Sequence, residues 1–292
     1  MSDRPTSGAD GDGDTGGGSG TDGSGTGEDA VVDRTDDPLT TERIRDDLRA
    51  LGVVPGETAL VHSSLSAMGW VAGGAPAAVD GLLGAVTATG TLAVPTHSTQ
   101  LSDPATWENP PVPDDWVESI RAEAAPYRPD VTPTRGMGAI PECLRDYPGA
   151  VRSAHPTTSF AAWGADAEAV TADHALDSPM GEASPLARLY DRDALIVRIG
   201  VDANTALHLA EYRAAFDGSP ERNGGPVLVD GERRWVAFEE PEHRDDFREI
   251  ETGFEEEHPA GVWRGTVGDA ETTVCRLRPL VDFAVEWMET HR

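Results

Sequence analysis

The segment "ALIVRIGVDANTALHLAEYRAAF", residues 194–216, contains the clearest indication of fold class in this 292-residue chain. Its first half is a continuous apolar run, which is typical of a strand buried on both faces of a parallel sheet. Its second half, residues 204–216, is predicted to be a helix that carries a histidine, a glutamate and an arginine. A buried strand that leads directly into a helix is a building unit of α/β proteins, so this stretch predicts an α/β domain.

The segments on either side continue the alternation of strands and helices. Upstream, apolar runs at residues 58–61 ("TALV") and 91–95 ("TLAVP") flank "GGAPAAVDGLLGAVTATG", which is predicted to be a helix. Downstream, residues 226–238 ("PVLVDGERRWVAF") predict antiparallel strands, and residues 280–292 ("LVDFAVEWMETHR") predict an apolar-faced helix. This order predicts one α/β domain with a mixed sheet over residues 38–292.

Residues 1–37 have a different composition, dominated by Gly, Ser, Thr and Asp. Such a segment has too little apolar surface to offset the entropy of ordering, so we predict a disordered acidic tail. The tail contains "GDGDTG" and "GSGTDG", which match the dinucleotide fingerprint G-x-G-x-x-G. That fingerprint needs a strand before it and a helix after it, and neither is predicted here, so both matches are interpreted as compositional coincidence.

The charge of the chain is extreme. The formal net charge is −29, and all 23 basic residues are arginine. Such acidity is typical of nucleic-acid mimics and of binders of cationic partners, but it also suits a protein adapted to very high salt, which is the interpretation we favour. At 1 M salt, self-repulsion is screened over roughly 3 Å. Without a basic stripe to neutralise phosphates, binding to nucleic acid is not expected.

The sequence also lacks the patterns of membrane and secreted proteins. No apolar run reaches the length of a membrane span, and no signal-peptide pattern is present, so a cytoplasmic protein without a membrane partner is predicted. Cys143 and Cys275 are far apart in sequence and are expected to be reduced thiols, although a disulfide between them stays open. Neither H-E-x-x-H nor G-x-S-x-G occurs, so no metal site and no hydrolase elbow are predicted.

Polar residues cluster where the predicted strands end. In open α/β sheets ligands bind beyond the carboxyl ends of the strands, so a shared cleft is expected there. Each of these residues also has a structural alternative, as a helix cap or as a hydrogen-bonded loop side chain. The residues are Ser63, Ser64, His97, Asn204, Thr205 and His208.

His208 and Glu211 are three residues apart, so a helix places both on one face. Histidine is a useful base near neutral pH, and a neighbouring carboxylate fixes its tautomer and stabilises the imidazolium. The structural alternative is a core histidine beside two solvated helix charges, Glu211 and Arg213. Spacing alone leaves both interpretations open.

Several long segments, in order, resemble the aminoglycoside 3-N-acetyltransferase family over residues 38–292. The likeness is distinct from the common acetyltransferase superfamily, whose phosphate loop R-x-x-G-x-G/A is broken at "RGMGAI" by Ile140. The segments that carry the resemblance are "VHSSLSAMGWVAGGAPAAVDGLL", "TLAVPTHS", "DPATWENPPVP", "TPTRGMGAIPE", "RSAHPTTSFAAWG", "SPLARLY" and "NTALHLAEYRA".

The resemblance implies a three-layer α/β/α fold and an acetyltransferase domain that uses acetyl-CoA, without a metal, to acetylate a small-molecule amine. The best-known acceptor is the 3-amino group of a 2-deoxystreptamine aminoglycoside. His208 matches the general base of the family's "NT-x-LH-x-AE" segment, Glu211 is the carboxylate in that segment, and Thr205 is a candidate oxyanion donor. An acyltransferase for another biosynthetic amine and a non-catalytic CoA-binding protein are the alternatives. No oligomeric state is predicted.

The same resemblance implies two sets of binding residues. CoA is expected at the "HSSL", "RGMG" and "SPLARLY" segments. A cationic acceptor is expected at the Pro-rich loop of residues 103–116 ("DPATWENPPVPDDW") and at two strand ends. The CoA set is Ser63, Ser64, Leu65, Met137, Gly138 and Ser184. The acceptor set is His97, Asp103, Glu108 and Asn204.

Overall fold

The structure, a computed structural model, describes residues 27–202 and 204–292. The strands are β1 (Thr58–Ser63), β2 (Thr91–Pro95), β3 (Val151–Arg152), β4 (Phe160–Gly164), β5 (Leu195–Ile199), β6 (Glu221–Val229), β7 (Glu232–Glu240), β8 (Val262–Val267) and β9 (Ala270–Arg276). The helices are α1 (Gly27–Arg34), α2 (Thr41–Ala50), α3 (Gly74–Val86), α4 (Val117–Glu123), α5 (Ala139–Arg145), α6 (Ala167–Thr171), α7 (Pro185–Asp191), α8 (Leu207–Arg213), α9 (Phe247–Glu257) and α10 (Leu277–His291). None of the helices in these ranges is long and apolar enough to cross a bilayer.

Seven strands form one sheet in the order β3-β4-β2-β1-β5-β9-β8. The three central strands are parallel, because β1 pairs with β2 on one side and with β5 on the other in the same direction. The outer strands β4 and β9 join this centre in antiparallel pairing. The predicted mixed sheet is therefore confirmed, and β6 and β7 form a separate two-stranded hairpin.

Helices cover both faces of the sheet, which confirms the predicted three layers. Along β1, Ala59 and Val61 belong to one apolar cluster, and Leu60, which points the opposite way, belongs to the other. The two free cysteines show the same division, since Cys143 packs against the first cluster and Cys275 is buried in the second. The first cluster includes Ile44 of α2, Leu82 of α3 and Leu144 of α5. The second includes Leu186 of α7, Leu209 of α8, Ile250 of α9 and Leu280 of α10.

The predicted tail of residues 1–37 needs correction at its C-terminal end. Residues 27–34 form α1, whose Val31 is buried, and Thr35 Oγ1 accepts a hydrogen bond from Trp70 N at 2.8 Å. These contacts hold the segment against the chain that follows β1, so the folded part begins before residue 38. Residues 1–26, including both G-x-G-x-x-G matches, lie outside the described residues.

Candidate active site

The carboxyl ends of the three parallel strands meet at one edge of the sheet. Ser64 N, just after β1, donates to Ile199 O at the end of β5, with a distance of 2.9 Å. The chain then turns at Gly200, which has φ +63°, and a Cβ there would lie 2.4 Å from Ala67 Cβ. Only glycine fits this turn, which brings the segment after β5 beside the segment after β1.

A buried polar network fixes the loop between β5 and α8. Glu251 of α9 accepts from Arg198 Nη1 of β5 at 2.6 Å and from Asn204 Nδ2 at 2.7 Å. The Asn204 side-chain oxygen accepts from Ala206 N at 3.1 Å. The Asn204 side chain, a predicted acceptor-binding group, is therefore engaged in holding the start of α8, which carries His208.

His62 and Thr205 join the ends of β1 and β5. Thr205 N donates to His62 Nε2 at 3.0 Å, and Thr205 Oγ1 lies 2.8 Å from the same nitrogen. Because a backbone N–H can only donate, Nε2 carries the lone pair and Nδ1 carries the proton. Burial lowers the pKa of His62 to about 3, assisted by the positive charges of Arg198 and His208. His62 is thus a neutral anchor for Thr205, a role that sequence reasoning missed.

His208 and Glu211 form a close pair on α8. His208 Nδ1 lies 2.7 Å from Glu211 Oε2, and their side chains are 28% and 3% exposed, respectively. Burial would raise the pKa of Glu211, but hydrogen bonds from His208 and His243 lower it to about 2. An ionised Glu211 accepts the Nδ1 proton of His208, which leaves a lone pair on Nε2. The partial exposure of His208 disagrees with the alternative of a packed core histidine.

Two further partners of Glu211 come from distant parts of the chain. His243 Nδ1 lies 3.1 Å from Glu211 Oε1, and Arg292 Nη1 donates to the same oxygen at 3.0 Å. The Arg292 side chain is 1% exposed and also pairs with Asp246. No local sequence pattern links these residues to α8, and sequence reasoning missed both.

Buried polar atoms without a partner mark the same edge of the sheet. Within the described ranges, Ser63 Oγ, His97 Nε2 and His62 Nδ1 have no hydrogen-bond partner. Burial lowers the pKa of His97 to about 3, and the charge of His208 makes the next largest contribution to this lowering. The two histidines therefore interact electrostatically. Unpaired buried polar atoms call for a ligand or water as partner, which supports this edge as a binding site.

The residues predicted to bind CoA divide into two groups. Leu65 lines a cleft together with Val31 of α1 and Trp70. A Cβ on Gly138 would lie 3.7 Å from Ser63 O, so the segment with half-buried Met137 runs beside the end of β1. Ser64 Oγ accepts from Ala67 N at 3.3 Å in the same turn.

Ser184, the remaining residue of the predicted CoA set, has a structural role as the cap of α7. Its side chain caps α7 by accepting from Leu186 N at 3.2 Å, donates to Gly181 O at 2.6 Å and is fully buried. Its hydroxyl is therefore engaged by Gly181 O and by the first turn of α7.

The predicted acceptor-binding carboxylates also differ in their surroundings. Asp103 is buried and accepts from Arg121 with both oxygens, at 2.7 and 2.8 Å, so its charge is already neutralised. Glu108 is exposed on the Pro-rich loop. Sequence reasoning missed Glu240 at the end of β7, whose pKa is raised by burial and lowered in part by Asn223 and His208. Glu240 lines a cleft of about 290 Å³ together with Glu211 and Glu242.

Comparison with known proteins gives a consistent assignment. The family model described as aminoglycoside 3-N-acetyltransferase matches residues 60–289. Aminoglycoside N(3)-acetyltransferase VII of Streptomyces paromomycinus is 39% identical over 276 residues, which cover 89% of this chain and 95% of that protein.

Solved structures agree with this match. The crystal structure of YokD protein from Bacillus subtilis is 42% identical and superposes with a TM-score of 0.87, over 90% of this chain and 98% of that chain. The structure of AAC-IIIb in binary complex with CoASH is 30% identical, with a TM-score of 0.76, over 87% and 97% of the two chains.

Proposed function

The chain belongs to the aminoglycoside 3-N-acetyltransferase family, whose members are acyltransferases, and on this premise we propose that it acetylates a cationic amine from acetyl-CoA. The acceptor class is a 2-deoxystreptamine aminoglycoside, acetylated on its 3-amino group. The observation that carries the proposal is the 2.7 Å contact between His208 Nδ1 and the buried carboxylate of Glu211.

The proposed reaction begins with removal of a proton from the ammonium group of the acceptor. His208 Nε2 has the free lone pair for this step, because Nδ1 donates to Glu211. The amine nitrogen then attacks the thioester carbon, the C–N bond forms and the C–S bond breaks. Of the two protons that leave the nitrogen, one ends on the sulfur of CoA and the other reaches solvent. Glu211 orients the imidazole and stabilises the imidazolium formed during the reaction.

The negative oxygen of the tetrahedral intermediate needs hydrogen-bond donors. Ser63 Oγ is buried without a partner in the described part of the chain, which makes its hydroxyl available. Thr205 Oγ1 lies 2.8 Å from His62 Nε2, so its hydroxyl must turn away from that nitrogen to face the substrate, while Thr205 N keeps its own bond to Nε2. Donors at the ends of β1 and β5 therefore support an oxyanion site beside His208.

Acetyl-CoA is the proposed donor. A solved relative, AAC-IIIb, is described as a binary complex with CoASH. In this chain, Ser64, Leu65 and Gly138 lie around the end of β1, where Ser63 supplies an unpaired hydroxyl. This grouping supports CoA binding at this edge of the sheet, with the thioester near His208.

Carboxylates beside His208 support a cationic acceptor. Glu240 and Glu242 line a cleft with Glu211, and Glu240 interacts electrostatically with His208. His208, His243 and Arg292 are already hydrogen-bonded to the carboxylate of Glu211. Glu240 is therefore the better candidate for contact with an acceptor ammonium. Asp103 is less suited, since Arg121 already binds both of its oxygens.

Replacement of His208 tests the proposal. His208→Ala should lower kcat by about 10²–10⁴-fold, because that is the usual contribution of a positioned general base, while the Kd for CoA changes little. Glu211→Gln should lower kcat less than His208→Ala does. His258→Ala, at an exposed histidine, is the matched control.

Turnover is measured as thiol release with acetyl-CoA against a panel of 2-deoxystreptamine aminoglycosides, with the 3-amino group free or blocked by prior acylation, and simple diamines. A His208→Ala enzyme that melts early but keeps its turnover per folded molecule would contradict the proposed base. Equal turnover with aminoglycosides whose 3-amino group is blocked would contradict acetylation at that amine.

A further inference from the structure

His208, Glu211 and His243 form a group that we call the His–Glu–His cluster. One potential ligand atom from each residue lies within 4.8 Å of the others. The two Nδ1 atoms face different oxygens of one carboxylate, at 2.7 Å for His208 and 3.1 Å for His243. A single point between the side chains is therefore within reach of two imidazole nitrogens and one carboxylate oxygen.

We propose that the His–Glu–His cluster binds a divalent transition-metal ion such as Zn²⁺, and that the bound ion inhibits acetyl transfer by occupying His208. Two imidazoles and one carboxylate are a known zinc ligand set that leaves a further position open. The inhibitory part rests on the proposed function of His208 as base. The binding part requires only the three ligands.

The surroundings of the cluster suit a reversible ligand from solvent. Side-chain exposure is 28% for His208 and 48% for His243, whereas Glu211 is 3% exposed. The two imidazoles therefore open towards solvent above a buried anionic anchor. Phe247 contacts both rings edge-on, with centroids 4.9 and 5.0 Å away, and so restricts their orientation before an ion arrives.

Binding requires a change of protonation. Both Nδ1 atoms face Glu211 as hydrogen-bond donors, so each imidazole must carry its proton on Nε2 when Nδ1 binds the ion. His243 must also be neutral, and its hydrogen bond to Glu211 raises its pKa. Other charges near His243 are Arg292, which disfavours its protonation, and Asp246, which favours it.

One neighbour weakens the site. Arg292 Nη1 lies 3.0 Å from Glu211 Oε1, and its guanidinium is buried. A fixed positive charge beside the carboxylate opposes a second cation, so the ion is a reversible inhibitor and has no role as a resident structural metal. A metal-independent reaction and a metal-sensitive enzyme are thus compatible.

Direct metal binding is tested on the full chain after removal of metals with a chelator. Titration with Co²⁺ should give visible absorption bands that saturate at one ion per chain, and Zn²⁺ should abolish them. His243→Asn should weaken binding by at least about 10-fold, because even the loss of an outer-shell partner of a metal ligand costs about 10–100-fold. His258→Asn, the matched control, should bind like the wild type.

Inhibition is tested in parallel, with each variant referred to its own rate in EDTA. The acetylated amine is quantified by mass spectrometry, because Zn²⁺ also binds the thiol that thiol-release reagents detect. Zn²⁺ should inhibit the wild type reversibly and should inhibit His243→Asn only at concentrations at least about 10-fold higher.

Absence of saturable Co²⁺ binding, equal inhibition of His243→Asn and wild type, or activation by Zn²⁺ would each overturn the proposal. If the wild type acetylates no amine in EDTA, the proposed function fails instead. The Co²⁺ titration still tests the metal site in that case.

Discussion

Four buried histidines should make the protein acid-labile at mildly acidic pH. Burial lowers the pKa of His62, His97 and His174 to about 3 and that of His155 to about 4. His155 and His174 stack on each other with centroids 4.8 Å apart, so protonation of either one would also place a charge against the other. All four are therefore neutral in the folded protein at pH 5.

The expected loss of stability follows from proton binding in the unfolded chain. A histidine in the unfolded chain has a pKa of about 6.5, so below this pH the unfolded state binds more protons than the folded state. The free energy of unfolding then falls as the pH falls, by about 1.4 kcal/mol per pH unit for each histidine. Four such groups give about 5 kcal/mol per pH unit near pH 5.5, against a total of about 5–15 kcal/mol for a typical domain.

Other titratable groups change the unfolding free energy in the opposite direction, or change it only at lower pH. The pKa of His243 is raised by Glu211, so its contribution to stability is present below the unfolded pKa and is lost as the pH rises. Burial raises the pKa of Glu240 and Glu251, so these carboxyls also bind protons more readily in the folded state as the pH falls. Glu211, at about 2, loses its contribution only at lower pH. The net slope of unfolding free energy against pH should therefore be somewhat smaller than the slope expected from the four histidines alone.

The assay is denaturant unfolding at fixed ionic strength, at pH 7.0, 6.0, 5.5 and 5.0. His174→Gln should reduce the slope of unfolding free energy against pH by about 1.4 kcal/mol per unit, and His258→Gln, at an exposed position, should leave the slope unchanged. A wild-type slope below about 2 kcal/mol per pH unit, or no change in His174→Gln, would refute the assignment of these histidines as buried neutral groups.

Two further predictions concern the N-terminal segment and the charge. Deletion of residues 1–26 should leave the Tm nearly unchanged, whereas deletion of residues 1–37 should lower it by about 2–4 °C for each kcal/mol lost, because α1 with its buried Val31 is removed. Calorimetry of both truncated forms checks this, and equal Tm values would show that α1 contributes nothing. The Tm should also rise from dilute buffer to molar KCl, because residues 38–292 carry 42 carboxylates against 21 arginines. A flat or falling Tm would contradict adaptation to high salt.

The fold was predictable because its signals are local. The apolar run of β5 and the following helix lie within one stretch, and period-2 alternation alone assigns Leu60 and Val61 to opposite faces. The pairing of His208 with Glu211 was also accessible, since a helix always brings positions three apart together. By contrast, α1 was missed because its acidic composition hides one buried valine.

The rest of the site depends on long-range contacts that no local pattern encodes. His243 reaches Glu211 from 32 positions away and Arg292 from 81 positions away. Asp103 was predicted to face a cationic acceptor, but its partner, Arg121, lies on α4, 18 positions later. Sequence spacing could not reveal that the Asp103 carboxylate is already paired. It also could not reveal that Asn204 donates a hydrogen bond to Glu251, which lies 47 positions later.

The hydrogen bond between His62 and Thr205 spans 143 positions of the chain. Because β1 lies between β2 and β5 in the sheet, the central strand cannot complete its pairing until β5 has been synthesised. Contacts of such high sequence separation are formed slowly during folding. On a translating ribosome, the segment that contains β1 to β4 emerges before β5, so one edge of β1 is unpaired during that interval. Unpaired strand edges favour aggregation and capture by chaperones.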